Sequence, residues 1–187
     1  LERHTGAGLY DSKAGQAHDP VDTVPDALRT VWASVWNLRA VEERAYAGID
    51  HAQVAMAVLV NPSYRDEAAN GVAITANIYD PAPGGEDAFY VNAQLGEASV
   101  VQPVPTIVAD QLMYYYFHNG QPATYYARSN LVRPGETVMT RGELFDLGRS
   151  PAAVRDHFAR FFTPPVGYGQ LPMDVEWKLV DDGGARV

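Results

Sequence analysis

Between residues 23 and 48, Leu28, Val31, Trp32, Val35, Leu38 and Ala45 recur at helical spacing, with Thr23 placed to cap and Pro25 and Asp26 in the first turn. This pattern predicts one helix ending at Gly48, with Arg29, Arg39, Glu42, Glu43 and Arg44 mostly off the apolar stripe on a solvated face. The apolar run 54–60 is too short for a helix and reads as a strand. Residues 71–79, following an Asn70-Gly71 turn signal, read as its partner in one sheet. In 87–95, Phe89, Val91, Ala93 and Leu95 alternate with Tyr90, Asn92 and Gln94, which predicts a third strand. Segments 106–117 and 123–132 flank Asn119-Gly120 and predict a hairpin rich in tyrosine. Two short helices are expected at 142–147 and 151–162, before the Pro164-Pro165 and Gly167-Tyr168-Gly169 break.

The last predicted strand, 172–180, sets Met173, Val175 and Trp177 against Asp174 and Glu176. Side chains repeat with period two in a strand, so the two carboxylates share a face, about 7 Å apart. Such a pair suits magnesium and phosphate, with water completing the coordination. Taken alone, the stretch favours the wet face of an ordinary half-buried strand. Strands and helices together predict an α+β fold, an α/β sandwich with a mostly antiparallel sheet.

Composition narrows the function. The 187 residues are 47% hydrophobic and 11% aromatic, which fits one globular domain over 1–187. A formal charge of −9 and no Lys/Arg stripe argue against nucleic acid as a partner. Two unit charges 4 Å apart interact by about 4 kcal/mol at an effective dielectric of 20, so a polyphosphate beside Asp174 and Glu176 needs metal ions between them. There is no cysteine, and the five histidines are scattered, so a zinc site is not expected. No apolar run reaches the roughly 20 residues that span a bilayer, and Leu1-Glu2-Arg3-His4 resembles no targeting peptide. Without an initiating Met, the sequence reads as cut from something longer.

Four segments carry a resemblance. Thr5-Gly6-Ala7-Gly8-Leu9-Tyr10-Asp11-Ser12 is a small-residue loop in which backbone N–H groups can converge on a phosphate and Ser12 can add a hydroxyl. The second is the helix with Val31-Trp32-Ala33-Ser34-Val35-Trp36 and Arg39-Ala40, and the third joins Met56-Ala57-Val58-Leu59-Val60-Asn61 to Asn70-Gly71-Val72-Ala73-Ile74-Thr75. The fourth is Val91-Asn92-Ala93-Gln94-Leu95-Gly96-Glu97-Ala98-Ser99-Val100-Val101. In this order they resemble the ATP-grasp nucleotide-binding (PEP/pyruvate-binding) domain of pyruvate phosphate dikinase and phosphoenolpyruvate synthase. Asp174-Val175-Glu176-Trp177 is similar to that family's Asp-Ile-Glu-Phe/Trp strand. Asn61 stands where the family usually has Gln, Ala76-Asn77 follow Thr75 in place of its charged residue, and Leu95 is an extra residue before Gly96.

The resemblance implies the C-terminal half of an ATP-grasp domain from a cytoplasmic phosphotransferase that uses ATP and Mg2+. Gly6, Gly8 and Ser12 would cradle phosphate, Asn61 and Thr75 would flank the adenine, Glu97 would lie near the nucleotide, and Asp174 and Glu176 would hold magnesium. In such enzymes a histidine on a separate phosphohistidine domain is phosphorylated, then passes phosphate to pyruvate or another acceptor. The implied partners are thus a nucleotide, the N-terminal ATP-grasp half and the phosphohistidine domain of the parent protein, with no membrane. The family's phosphate-binding Lys and Arg have no counterpart within residues 1–187, so the isolated chain is expected to be inactive. Two alternatives stay open: a non-catalytic ATP-grasp relic acting as nucleotide sensor or interaction module, and a β-rich domain presenting Tyr114, Tyr115, Tyr116, Tyr125 and Tyr126 to a partner or sugar.

Overall fold

The computed structural model describes residues 8–64, 67–98, 100, 104–182 and 185–186, which divide into two compact units, 1–63 and 64–187. In the first unit, helix α1 (Val24–Ala33) begins at Thr23, whose hydroxyl accepts the Asp26 N–H. The predicted single helix breaks into α1, a 3-10 turn (Ser34–Trp36) and α2 (Leu38–Tyr46). Asn37 is extended at φ −56°, ψ 143°, so the i to i−4 ladder, which still reaches Ser34, cannot continue through it, and the Ser34 hydroxyl donates to the Val31 carbonyl. Gly48 ends α2 at φ 68°, as expected. Another 3-10 turn (His51–Gln53) leads into residues 54–64, which form no helix or strand and have no ladder partner among the described residues. Segment 54–60 is therefore not the sheet strand its apolar run predicted.

The second unit is built on an antiparallel sheet of order β4-β3-β2-β1-β5-β6. Its strands are β1 (Glu67–Ile74), β2 (Phe89–Leu95), β3 (Asp110–Tyr114), β4 (Ala123–Ala127), β5 (Asp174–Asp182) and β6 (Ala185–Arg186). Asn70-Gly71, read as a turn, lies inside β1. A Cβ at Gly71 would collide with the Asn92 carbonyl and the Trp177 ring, so this glycine serves close packing between strands. Helix α3 (Arg141–Phe158) replaces the two predicted short helices. It starts with a capping box between Thr140 and Glu143 and runs through Pro151, which is fully buried, so apolar packing offsets the missing N–H. Gly148 on α3 lets Tyr114 and Tyr116 approach, since a Cβ there would stand 2.8 Å and 2.5 Å from their rings.

One sheet face, carrying Ala69, Ala73, Phe89, Val91, Ala93, Leu112, Tyr114 and Leu179, packs with Leu144 and Ala152 of α3 as the core. At its margin Arg155 forks onto Asp87 at 2.7 and 3.2 Å, its guanidinium 4.6 Å from the Phe117 ring centre. An antiparallel sheet with α3 packed on it, in a chain that also carries α1 and α2, is the expected α+β class.

Candidate functional site

The sheet face opposite the core is where the acids emerge. Asp174 and Glu176 are exposed neighbours on β5, alternating with half-buried Val175 and Trp177 as the sequence pattern required. Register sets three rows across the strands: Asp174, Ile74, Tyr90; Glu176, Val72, Asn92; Lys178, Asn70, Gln94. Lys178 pairs with the Glu67 carboxylate, so this nearby cation is engaged. Asp174 and Glu176 have no ion pair or side-chain hydrogen bond among the described residues. Nor do the described residues contain a cluster of three His, Cys, Asp or Glu able to enclose a metal. Two open carboxylates on one face are the donor set magnesium uses when phosphate oxygens and water complete an octahedron.

The strand that presents them is fixed at its start by Thr75. Its fully buried hydroxyl donates to the Leu171 carbonyl at 2.7 Å and accepts the Met173 N–H at 2.8 Å. Both capacities of that hydroxyl are thus used inside the fold, and what Thr75 does here is hold β1 and the lead into β5 together.

Asn70 performs the same service for Glu97. Its side-chain amide donates to the Gly96 and Ala98 carbonyls at 2.7 and 3.0 Å, and Gly96, at φ 64°, gives its N–H to Ala68. The exposed Glu97 therefore sits on a loop fastened to a residue in the Lys178 row. Gln94 is buried, accepting from the Ser129 hydroxyl at 2.7 Å and donating to the Val108 carbonyl at 2.9 Å, and Asp110 accepts the Ser129 and Val138 N–H groups. Much of the Asn-Ala-Gln-Leu-Gly-Glu segment thus builds the loop that positions Glu97. Sequence reading missed Asn70, because an Asn before Gly signals a turn.

In the first unit a cleft of about 410 Å³ runs between the loop 10–15, α1 and segment 56–61. Ala27, Leu28, Val31, Met56 and Val58 give it apolar walls, while Ser12 and Asn61 bring polar groups to it. The structure so brings together two residues expected at the nucleotide. Gly8 is exposed at φ 72°, a conformation glycine adopts without strain, and Gly6 lies outside the described residues.

The five tyrosines offered as a platform are divided. Tyr114 is buried and Tyr116 stacks on Phe89, whereas Tyr126 is exposed and meets Tyr79 at 4.8 Å between ring centres. Tyr79 in turn stands edge-on to Tyr90 at 6.3 Å, and burial, with the Tyr79 hydroxyl adding to it, pushes the Tyr90 phenol above its ordinary pKa of 10.0. Among the described residues no helix is long and apolar enough to cross a membrane.

Comparison with known proteins matches residues 2–185 to the family described as pyruvate phosphate dikinase, AMP/ATP-binding domain. The chain is 37% identical over 185 residues to a phosphoenolpyruvate synthase of Pyrococcus furiosus, covering 87% of this chain and 21% of that protein. It is 28% identical over 179 residues to a phosphoenolpyruvate synthase of Pseudomonas aeruginosa, covering 88% and 22%. A phosphoenolpyruvate synthase of Aeropyrum pernix is 25% identical over 198 residues, with 84% and 22% covered. The chain thus spans about a fifth of the length of the curated relatives it matches.

Proposed function

The chain belongs to the pyruvate phosphate dikinase AMP/ATP-binding domain family, and on that premise we propose that it is the Mg-ATP-binding C-terminal half of an ATP-grasp domain in a phosphoenolpyruvate synthase-like phosphotransferase. The observation that carries this reading is the open carboxylate pair, Asp174 and Glu176, exposed side by side while Lys178 is held by Glu67. Phosphoryl transfer asks a protein mainly for positioning and charge neutralisation. When bound, magnesium supplies the positive charge that lets a polyphosphate lie beside two carboxylates. Asp174 and Glu176 hold that ion from β5, and Glu97 contacts the nucleotide from the loop that Asn70 fastens. By the family resemblance, Gly6, Gly8 and Ser12 contribute phosphate contacts and Asn61 flanks the base; within the first unit Ser12 and Asn61 line one cleft. Thr75 contributes by holding the start of β5 in place.

The donated phosphate goes to a histidine on a separate domain of the cytoplasmic parent and on to pyruvate or another acceptor. The residues 1–187 alone bind nucleotide without turnover, because the family's phosphate-binding Lys and Arg have no counterpart in the segments that resemble it. The test is calorimetric titration of the chain with ATP, with and without magnesium. Removing either charge, by Asp174→Asn or Glu176→Gln, weakens Mg-ATP binding by about tenfold or more. Equal affinity in both variants and the wild type would sink the metal-ligand assignment.

A second reading, a non-catalytic nucleotide sensor, is favoured by one feature. After Thr75, where the family pattern carries a charged residue, Ala76 is buried and the Asn77 amide is consumed inside its own loop, bonding Glu86, Tyr79 and Asp80 backbone groups. Nucleotide binding without phosphohistidine in the full-length parent would select this reading.

A further inference from the structure

Arg44, expected on the solvated face of its helix, is only 5% exposed. A guanidinium is charged at any physiological pH and offers five N–H donors. One is satisfied, Nε donating to His51 Nδ1 at 3.2 Å. Nη1 and Nη2 are buried and have no hydrogen-bond partner among the described residues, so four N–H donors stand without an acceptor there. The negative end of α2 and the Trp36 ring, 5.5 Å from the guanidinium, offset part of the charge, but neither accepts these bonds. A buried cation in this condition is unfavourable unless a counter-charge arrives.

We propose that Arg44, His51 and Trp36 form an oxyanion seat in the first unit, in which the two Nη groups of Arg44 take a carboxylate or phosphate as a fork. The planar fork matches two oxygens of one such group, and the charge-assisted pair of bonds is the strong form of that contact. His51 holds the guanidinium by its Nε edge, so the open edge is the one with two nitrogens. Trp36 lies over the cation and against His51, with ring centres 6.4 Å apart, and is itself 60% exposed. Its emission therefore reports on what binds at the fork. The seat is independent of the nucleotide reading, since none of its three residues belongs to the proposed Mg-ATP site.

The experiment is thermal denaturation of the chain in sodium chloride, sodium acetate and sodium phosphate at matched ionic strength, with tryptophan emission followed in parallel titrations. Phosphate also stabilises proteins by exclusion from their surface, so Arg44→Met is the reference. In chloride, Arg44→Met is at least as stable as the wild type, because an unpaired buried charge has gone. In the oxyanion, the wild type gains a saturable rise in Tm and an emission change, both absent from Arg44→Met. Arg44→Lys keeps the charge without the fork and shows a reduced response, and this variant decides the matter if Arg44→Met does not fold. A response to phosphate alone assigns the seat to phosphate, and one to acetate as well assigns it to carboxylates. Asp174→Asn leaves the response intact, which separates this seat from the nucleotide face. Equal responses in the wild type and both Arg44 variants, or no saturable response in any, overturn the proposal.

Discussion

The Thr75 hydroxyl receives the Met173 N–H at 2.8 Å, one residue before the strand that displays Asp174 and Glu176. The Thr75 N–H answers by donating to the Met173 carbonyl at 3.0 Å, and the Ile74 to Asp174 pairing follows directly. A residue buried on β1's end therefore sets where an exposed carboxylate stands.

Replacing Thr75 by Val keeps the shape and removes the hydroxyl, leaving the Met173 N–H without its side-chain partner. The expected loss is about 2 kcal/mol in urea denaturation, whereas Thr75→Ser retains most of the stability. The same Val variant weakens Mg-ATP binding without altering any proposed ligand. A Thr75→Val protein as stable as wild type would remove the anchoring role.

Gly71→Ala is expected to cost 3 kcal/mol or more, roughly the upper range for overpacking, because the new Cβ meets backbone at Asn92 and the Trp177 ring at once. Both neighbours belong to strands paired with β1, so neither can withdraw alone. Chemical denaturation checks it, and a near-neutral substitution would mean that the three strands are looser than their register implies.

Tyr114 buries its hydroxyl without a partner among the described residues, and burial raises its phenol above 10.0, as it does for Tyr90 and Tyr125. A pKa raised on folding stabilises the fold below the unfolded value, near 10, and that contribution disappears as pH climbs through the raised folded values. Stability is therefore expected to fall above pH 10, and less steeply in Tyr114→Phe. At neutral pH Tyr114→Phe should match or exceed the wild type by up to about 1 kcal/mol, since only an unsatisfied hydroxyl is lost. Absorbance titration of the phenols with parallel unfolding curves measures both effects.

Local pattern carried the strands well where alternation was strict. Asp174 and Glu176 share an exposed face because period two leaves no other arrangement once Val175 and Trp177 turn inward. The start of α1 was equally legible, since Thr23, Pro25 and Asp26 act within one turn. What failed depended on distant partners. Gly71 looks like half of a turn until Trp177 crosses it, and Pro151 looks like a helix end until its ring is seen in the core. Segment 54–60 has a strand's composition without a strand's partner among the described residues. The burial of Arg44 is illegible for a related reason, because the apolar spacing runs through Asn37 without a break and nothing local signals the turn that brings His51 back.

The most direct test of the nucleotide-face claim is paramagnetic broadening of backbone amide signals by Mn2+ in the presence of ADP. The account predicts that signals of Asp174, Val175 and Glu176 broaden first, followed by their β1 partners Val72, Ala73 and Ile74, and that the Asp174→Asn, Glu176→Gln double variant loses this pattern. Broadening centred away from β5, or broadening of β5 that survives in the double variant, would contradict it.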